Sequence, residues 1–347
     1  MKTIADYSQS RDNNFNLIRF IAASLVIFSH AYPISLGKDT FDPLYHLIGV
    51  TFGGIAVDIF FLVSGFLVSQ SFCTRHNLLA FLYARFLRIF PALFVAVVFC
   101  ALIIGTLFTS LTVPAYLLNW QPYKFILKNT ALLVNIQYTL PGVFTNNPAS
   151  EAVNGSIWTL PYEVRMYLLL TLIGFLGFLK KRLFFNLFIL GCLLLYTQSI
   201  LVKEIDVSNY DHARRLSAFF FAGTFSYINR HFIPLHKYIA IGFLLLPLVF
   251  FKTQIFLFLF YLALVYCTFW FAFVPAGFIR RFNEIGDYSY GLYIYAFPIQ
   301  QSLVNLFSGM KQPTLLFISA FFLTLSLACI SWHWIEKPAL KLKSKIE

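Results

Sequence analysis

The chain has 347 residues, of which 59% are hydrophobic, 19% aromatic and only 12% charged, and its mean hydropathy is +0.75. Soluble domains carry about 25% charged residues, so this composition excludes an ordinary soluble protein and reads as a polytopic membrane protein. A net charge of +12 would suggest a nucleic-acid partner in a soluble chain; here the basic residues gather in alternate short loops, which points to membrane orientation and to no nucleic acid.

Met1 to Asp12 is a short polar lead, expected to be cytoplasmic and loosely ordered. Apolar runs suited to spans follow at Phe15–Leu36, Leu47–Phe72, Ile89–Thr109, Trp158–Leu179, Leu183–Val202, Leu216–Ile228, Tyr238–Phe251, Ile255–Phe273, Tyr288–Phe307 and Thr314–Trp334. The expected fold is therefore all-α: a polytopic transmembrane helical bundle of about ten spans, one domain over residues 1–347, with no soluble catalytic domain. An outer loop covers 110–157 and a basic cytoplasmic tail 335–347. An even number of crossings puts both termini on one side. Most of the 26 Lys and Arg fall there, including Arg75 and the Lys180-Lys181-Arg182 run, so both termini are expected in the cytoplasm. The first run contains Arg19 and continues into His30-Ala31-Tyr32-Pro33 without a small-residue cleavage site, so it reads as a retained helix and not a signal peptide.

Within that first run Arg19 and His30 are eleven residues apart. At about 100° per residue they share one helix face, about 16 Å apart along the axis. An intramembrane cation costs on the order of 3 kcal/mol, so Arg19 either lines a protein interior or watery cavity, or snorkels to the headgroups. The outer turn from Gly37 to His46, with Asp39, Asp42 and His46, reads as surface. In the second run Asp58 falls about midway, with Gly54 and Gly65 on roughly its face, so that another helix can approach beside the carboxylate. Asp58 and Glu163 are the acidic residues, out of 14, that fall inside expected spans. Both are functional candidates on that ground; for Asp58 the alternative is an interior ion pair with an arginine such as Arg19.

The second inner loop reads ARFLRIFP, with Arg85 and Arg88 one helical turn apart. Two guanidiniums on one face suit a phosphate or pyrophosphate group; they also suit a cytoplasmic anchor. Ser110 to Ile157 is the longest non-spanning segment, and its apolar patch from Phe125 to Val134 is expected to lie along the membrane surface or dip into it. Glu163 follows Pro161 at the start of a span, either as a functional carboxylate or as a favourable charge at a helix N-terminus. Asp211 to Arg215 forms an outer charge cluster that could meet an acceptor or headgroups, and otherwise reads as a solvated loop. The ninth run, IGDYSYGLYIYAFPIQQ, is Tyr-rich and interrupted by Pro298, a sign of a bend at a cavity or of an interfacial tyrosine belt. His76, His231 and His236 have no ligand set around them, so no metal is expected. Cys73, Cys100, Cys192, Cys267 and Cys329 read as packing residues.

Taken in order, several of these pieces resemble the type-three membrane acyltransferases (acyltransferase 3, carbohydrate O-acyltransferases). They are Asn16 to Arg19 with His30; GIAVDIFFLVSGFL from Gly54; Arg85 and Arg88 before IFP; SIWTLPYEVRMY around Glu163; IGDYSYGLYIY; and the closing WIEKP. The resemblance implies an integral membrane bundle, in the bacterial inner membrane, that moves an acyl group from cytoplasmic acyl-CoA, commonly acetyl-CoA, to a carbohydrate hydroxyl. Acceptors in such a family include lipopolysaccharide O-antigen, exopolysaccharide and related envelope glycans, so a carbohydrate or lipid-linked glycan is the acceptor expected here. The family's functional motif maps onto Arg19, His30, Arg85 and Arg88. Two departures are visible: Ala296 stands where many members carry His, and no soluble hydrolase-like domain follows.

The chemistry then expected has His30 as general base, Glu163 orienting its ring, Arg85 and Arg88 on the CoA phosphates, and Arg19 drawing the donor inward. Asp58 completes the candidate set. An acyl-His30 intermediate is the rival route. The competing class is a transporter or flippase for a polar glycan, with Arg19, Asp58 and Glu163 along its path. The His with two cytosolic arginines, and the absence of an internal repeat, favour the enzyme. Oligomeric state is left open by the sequence.

Overall fold

The computed structural model describes residues 1–10, 12–75, 77–132, 135–149, 151–202, 209–307 and 310–345, with backbone alone at 192–193, 195–202, 209–211 and 344–345. His76 and the side chains of Cys192 and Asp211 lie outside the described residues, as do Leu133 and Val134 of the outer apolar patch.

Among the described residues the chain is all-helical, with three isolated bridges and no strand. The main helices are α1 (Phe15–Leu36), α2 (Phe52–Thr74), α3 (Leu78–Val98, continued by a π-helical turn Phe99–Ile104 and by Gly105–Phe108) and α4 (Trp120–Ala131). They are followed by α5 (Leu160–Phe175), α6 (Arg182–Val202), α7 (Asn209–Ile228), α8 (Lys237–Val249), α9 (Phe256–Phe273) and α10 (Ser289–Leu306). The last, α11, is Pro313–Ser331, continued by a π-helical turn Trp332–Glu336 and by Lys337–Lys341. Each apolar run expected to span is helical. Among the described residues, α1, α2, α9 and the continuous helices Leu78–Phe108 and Pro313–Lys341 are long and apolar enough to cross a membrane. By contrast α5 and α8 stop at 16 and 13 residues, and a full crossing takes about 20.

Contacts group the chain into two compact units. Unit 1 is Met1–Arg19, Val57–Leu78 and Arg165–Gly286; unit 2 is Phe20–Ala56, Leu79–Val164 and Asp287–Glu347.

In unit 1 the N-terminal lead is not loose. Backbone N–H groups of Ile4 and Ala5 donate to Ile233 and Arg230, Leu235 donates to Lys2, and Ile4 is fully buried. Thr3 donates from its backbone and hydroxyl to Asp6, which holds the Asp6 carboxyl below its usual value. The start of α1 closes the end of α9: Asn14 Nδ2 donates to the carbonyls of Phe271 and Pro275, both at 2.8 Å, and Arg280 takes that of Phe273 at 2.6 Å. The carbonyls of Phe271 and Phe273 are among those that a helix end leaves without an intrahelical donor. Behind them, Phe15, Phe66, Phe269 and Phe273 pack ring against ring at 5.0 to 5.8 Å.

The close helix approach expected beside Asp58 occurs between α2 and α7. A Cβ on Gly65 would stand 1.8 Å from the Phe220 carbonyl oxygen, and one on Gly223 2.0 Å from that of Leu62. Small residues allow this backbone approach, and polar side chains fasten it: Ser69 donates to Thr224 at 3.1 Å.

In unit 2, α10 packs on α11, with Gly291 against the Ala328 backbone. The arginines read as part of an inner loop are helical instead, because α3 begins at Leu78. Ala80, Phe81, Ala84 and Leu87 give it a buried stripe from its first turns. The segment expected to lie outside is tied to unit 2: Tyr116 donates to Ala101 at 2.7 Å across Gly105, Asn129 bonds twice with the Gln137 backbone, and Val143, Phe144 and Val153 are buried. Burial raises the pKa of the Tyr138 phenol in this segment, and Tyr162 adds to the effect.

Gly65→Ala is expected to destabilise the protein by about 1–3 kcal/mol through overpacking against an immovable carbonyl. Thermal unfolding in detergent, compared with Gly191→Ala, where nothing lies within 4 Å, checks this. Equal melting temperatures for the two variants would count against the close approach.

Candidate active site

The polar side chains of unit 2 gather at the two ends of α10. At its start, Arg88 on α3 donates to Asp287 at 2.6 Å, and its other terminal nitrogen is 3.8 Å from Glu336. Asp287 also accepts from the Ser289 hydroxyl, while Glu336 accepts from Ser331 at 2.9 Å across the π-helical turn of α11. The guanidinium lies 5.9 Å from the Tyr290 ring, and the Tyr290 hydroxyl donates to Ile89. One cation thus faces two nearly buried carboxylates drawn from IGDYSYG and WIEKP, which gives both sequence pieces a physical reason. Arg85, one turn earlier, sits 5.8 Å from the Phe81 ring.

Toward the other end, Pro298 interrupts the hydrogen-bond ladder of α10, since proline has no N–H for the carbonyl four residues back. That carbonyl, on Ile294, is taken instead by Asn154 Nδ2 at 2.8 Å. Asn154 is itself buried, so the outer segment docks where the helix is short of a donor. The docking brings Gly155 against Phe297, where a Cβ would be 2.6 Å from the ring. Phe297 in turn lies edge-on to His30, with ring centroids 5.4 Å apart. Gln300 donates to the Ile27 carbonyl at 2.8 Å, one turn before His30.

The tyrosines of α10 form no interfacial belt. Tyr290, Tyr293 and Tyr295 are buried, and Tyr293 shares a 2.7 Å hydrogen bond with Thr159. Thr159 precedes Glu163 by one turn, and Glu163 occupies the first turn of α5. Glu163 is not the partner of His30 Nδ1, which is buried without a hydrogen bond.

Asp42, read from the sequence as surface, is fully buried. It accepts from Ser29 at 2.6 Å, from Phe52 N at 2.9 Å and from Leu44 N at 3.1 Å, and so ties the residue beside His30 to the start of α2. The signal was present in Asp42-Pro43, an N-cap followed by proline at the first helical position.

In unit 1, Asp58 is fully buried and paired with Arg215 Nε at 3.0 Å. The partner expected among arginines such as Arg19 is therefore another one, and the reading of the 211–215 cluster as a solvated loop is corrected for Arg215, which sits inside α7. Arg19 is partly buried on α1. Of the candidates, His30, Arg85, Arg88 and Glu163 belong to unit 2, and Arg19 and Asp58 to unit 1. Among the described residues no three His, Cys, Asp or Glu converge as a metal set.

A family model described as an acyltransferase domain matches residues 12–333. An O-acetyl transferase of Shigella phage Sf6 is 28% identical over 351 residues, covering 96% of this chain and 98% of that protein. Nodulation protein 10 of Rhizobium leguminosarum bv. viciae is 34% identical over 175 residues, 48% of this chain and 46% of its own length. No solved structure matches.

Removing Arg88 takes a guanidinium away from two nearly buried carboxylates. Arg88→Met is expected to cost about 3–5 kcal/mol, and Arg85→Met clearly less. Denaturant unfolding in mixed micelles should order the variants this way; the reverse order would mean that Arg88 is not the keystone of that cluster.

Proposed function

Because this chain belongs to the acyltransferase 3 family, and is on that ground an integral membrane acyltransferase, we propose that it moves an acetyl group from cytoplasmic acetyl-CoA to a hydroxyl of an envelope or extracellular glycan. The name of the phage relative supports O-acetyl transfer. The observation that carries the reading is the division of α10 into two polar ends. Arg88 binds Asp287 just before its start, and His30 meets it at Phe297, ten residues and about 15 Å further on. A donor held by its phosphates at the first end can extend its pantetheine arm toward the second.

In this scheme neutral His30 takes the proton of the acceptor hydroxyl as its oxygen attacks the thioester carbonyl. The tetrahedral intermediate collapses with loss of CoA thiolate, which recovers the proton from the imidazolium. Acyl ester and free CoA are the products, so atoms and charge balance. Glu163 orients the imidazole once substrate is bound, since catalytic hydrogen bonds often tighten only in the loaded enzyme. Arg85 supplies the phosphate fork. Arg88, anchored by Asp287 and Glu336, holds its helix in place and offers its remaining donors. Arg19 draws the donor inward, and Asp58 with Arg215 fixes α2 against α7. The bundle crosses the bacterial inner membrane about ten times with both termini in the cytoplasm.

His30→Ala in purified, folded protein is expected to reduce transfer from labelled acetyl-CoA by about 100-fold or more; near-normal transfer removes His30 from the mechanism. Arg85→Ala should raise KM for acetyl-CoA about tenfold with little change in melting temperature. Free CoA released only when membranes supply an acceptor separates this reading from a transporter, which would release none.

A further inference from the structure

Among the described residues, the buried polar atoms without a hydrogen-bond partner include His30 Nδ1, Gln300 Oε1 and Ser156 Oγ, all in unit 2. All belong to segments that meet around one ring. His30 lies edge-on to Phe297; Gly155, next to Ser156 in the chain, presses on the same ring; and Gln300 follows Phe297 by three residues, so it shares that face of α10.

Gln300 and Ser156 are wholly buried. Leaving a buried acceptor unpaired costs about 1–3 kcal/mol, and folded proteins hold few such groups. Turning the Gln300 amide over does not relieve it, because the oxygen would then face the Ile27 carbonyl that its nitrogen now serves. The orientation is fixed, and the oxygen is left for something that the chain does not supply.

We propose that Gln300 Oε1 and Ser156 Oγ form a hydrogen-bonding subsite beside His30 that receives hydroxyl groups of the acyl acceptor. This rests on the reading of His30 as the base. A sugar ring fits the chemistry: one hydroxyl faces the imidazole, and its neighbour donates to the Gln300 oxygen. The place fits as well, since Gln301 is bonded to Ala152 and Asn147 of the outer segment, at the end of α10 away from Arg88. The amide N–H groups of pantetheine are the competing donors, and the experiment separates the two.

The full chain in nanodiscs is assayed with acetyl-CoA and the surface glycan extracted from cells that carry it, comparing Gln300→Met, Ser156→Ala and the unaltered protein. Gln300→Met should raise KM for the glycan roughly tenfold, the worth of one good hydrogen bond. It should leave KM for acetyl-CoA within about twofold and increase the share of acetyl-CoA lost to water. Ser156→Ala, which keeps the Gln300 tie to Ile27, should shift the same quantities less, and it decides the matter if Gln300→Met does not fold. A raised KM for acetyl-CoA with the glycan KM unmoved overturns the proposal in favour of pantetheine, and no change in either KM overturns it outright. If the unaltered protein transfers nothing, the base reading falls and takes the subsite with it; if it transfers and the variants match it, the subsite alone is lost.

Discussion

Inside a bilayer no water stands ready to satisfy a backbone carbonyl, so each must find its donor within the protein. Pro298 removes one such donor from α10, and the arrangement around His30 follows from the repair. Asn154 supplies the missing hydrogen bond to Ile294, which fixes the end of the outer segment. That places Gly155 on Phe297, and Phe297 against the imidazole. A residue with a larger side chain at 155 would push the ring away from that position. The helix interruption is therefore the means by which the end of a long connecting segment is registered against α10.

Charge is handled differently in the two units. In unit 1 a single buried carboxylate, Asp58, meets a single guanidinium beside a pair of glycine contacts, so the ion pair and the close packing support one another. Buried pairs of this kind contribute little net stability but are costly to break. In unit 2 the Arg88 guanidinium lies against two carboxylates, Asp287 and Glu336. Arg88 is thus constrained from two elements at once.

The helices were legible in the sequence because long apolar runs have few alternatives in lipid; α1 begins and ends where its hydrophobic run does. The spacing of Arg85 and Arg88 was legible for the same local reason. Their surroundings were not. Asp287 and Glu336 flank distant runs, and nothing in the local pattern says that they converge on Arg88. The Tyr-rich start of α10 looked equally suited to an interfacial belt, because tyrosine serves both places and only the hydroxyl partners, Ile89 and Thr159, distinguish them. The N-terminal lead looked loose because it is polar and short, yet its order comes from backbone bonds to residues more than two hundred positions away.

The Arg88 cluster also bears on biosynthesis. Asp287 lies 199 residues downstream of Arg88, and Glu336 follows later still in the chain. Through most of insertion the arginine has neither counter-charge, so α3 must wait with that side chain among headgroups or water. The Arg88 cluster therefore locks α3, α10 and α11 together only after all three have been synthesised.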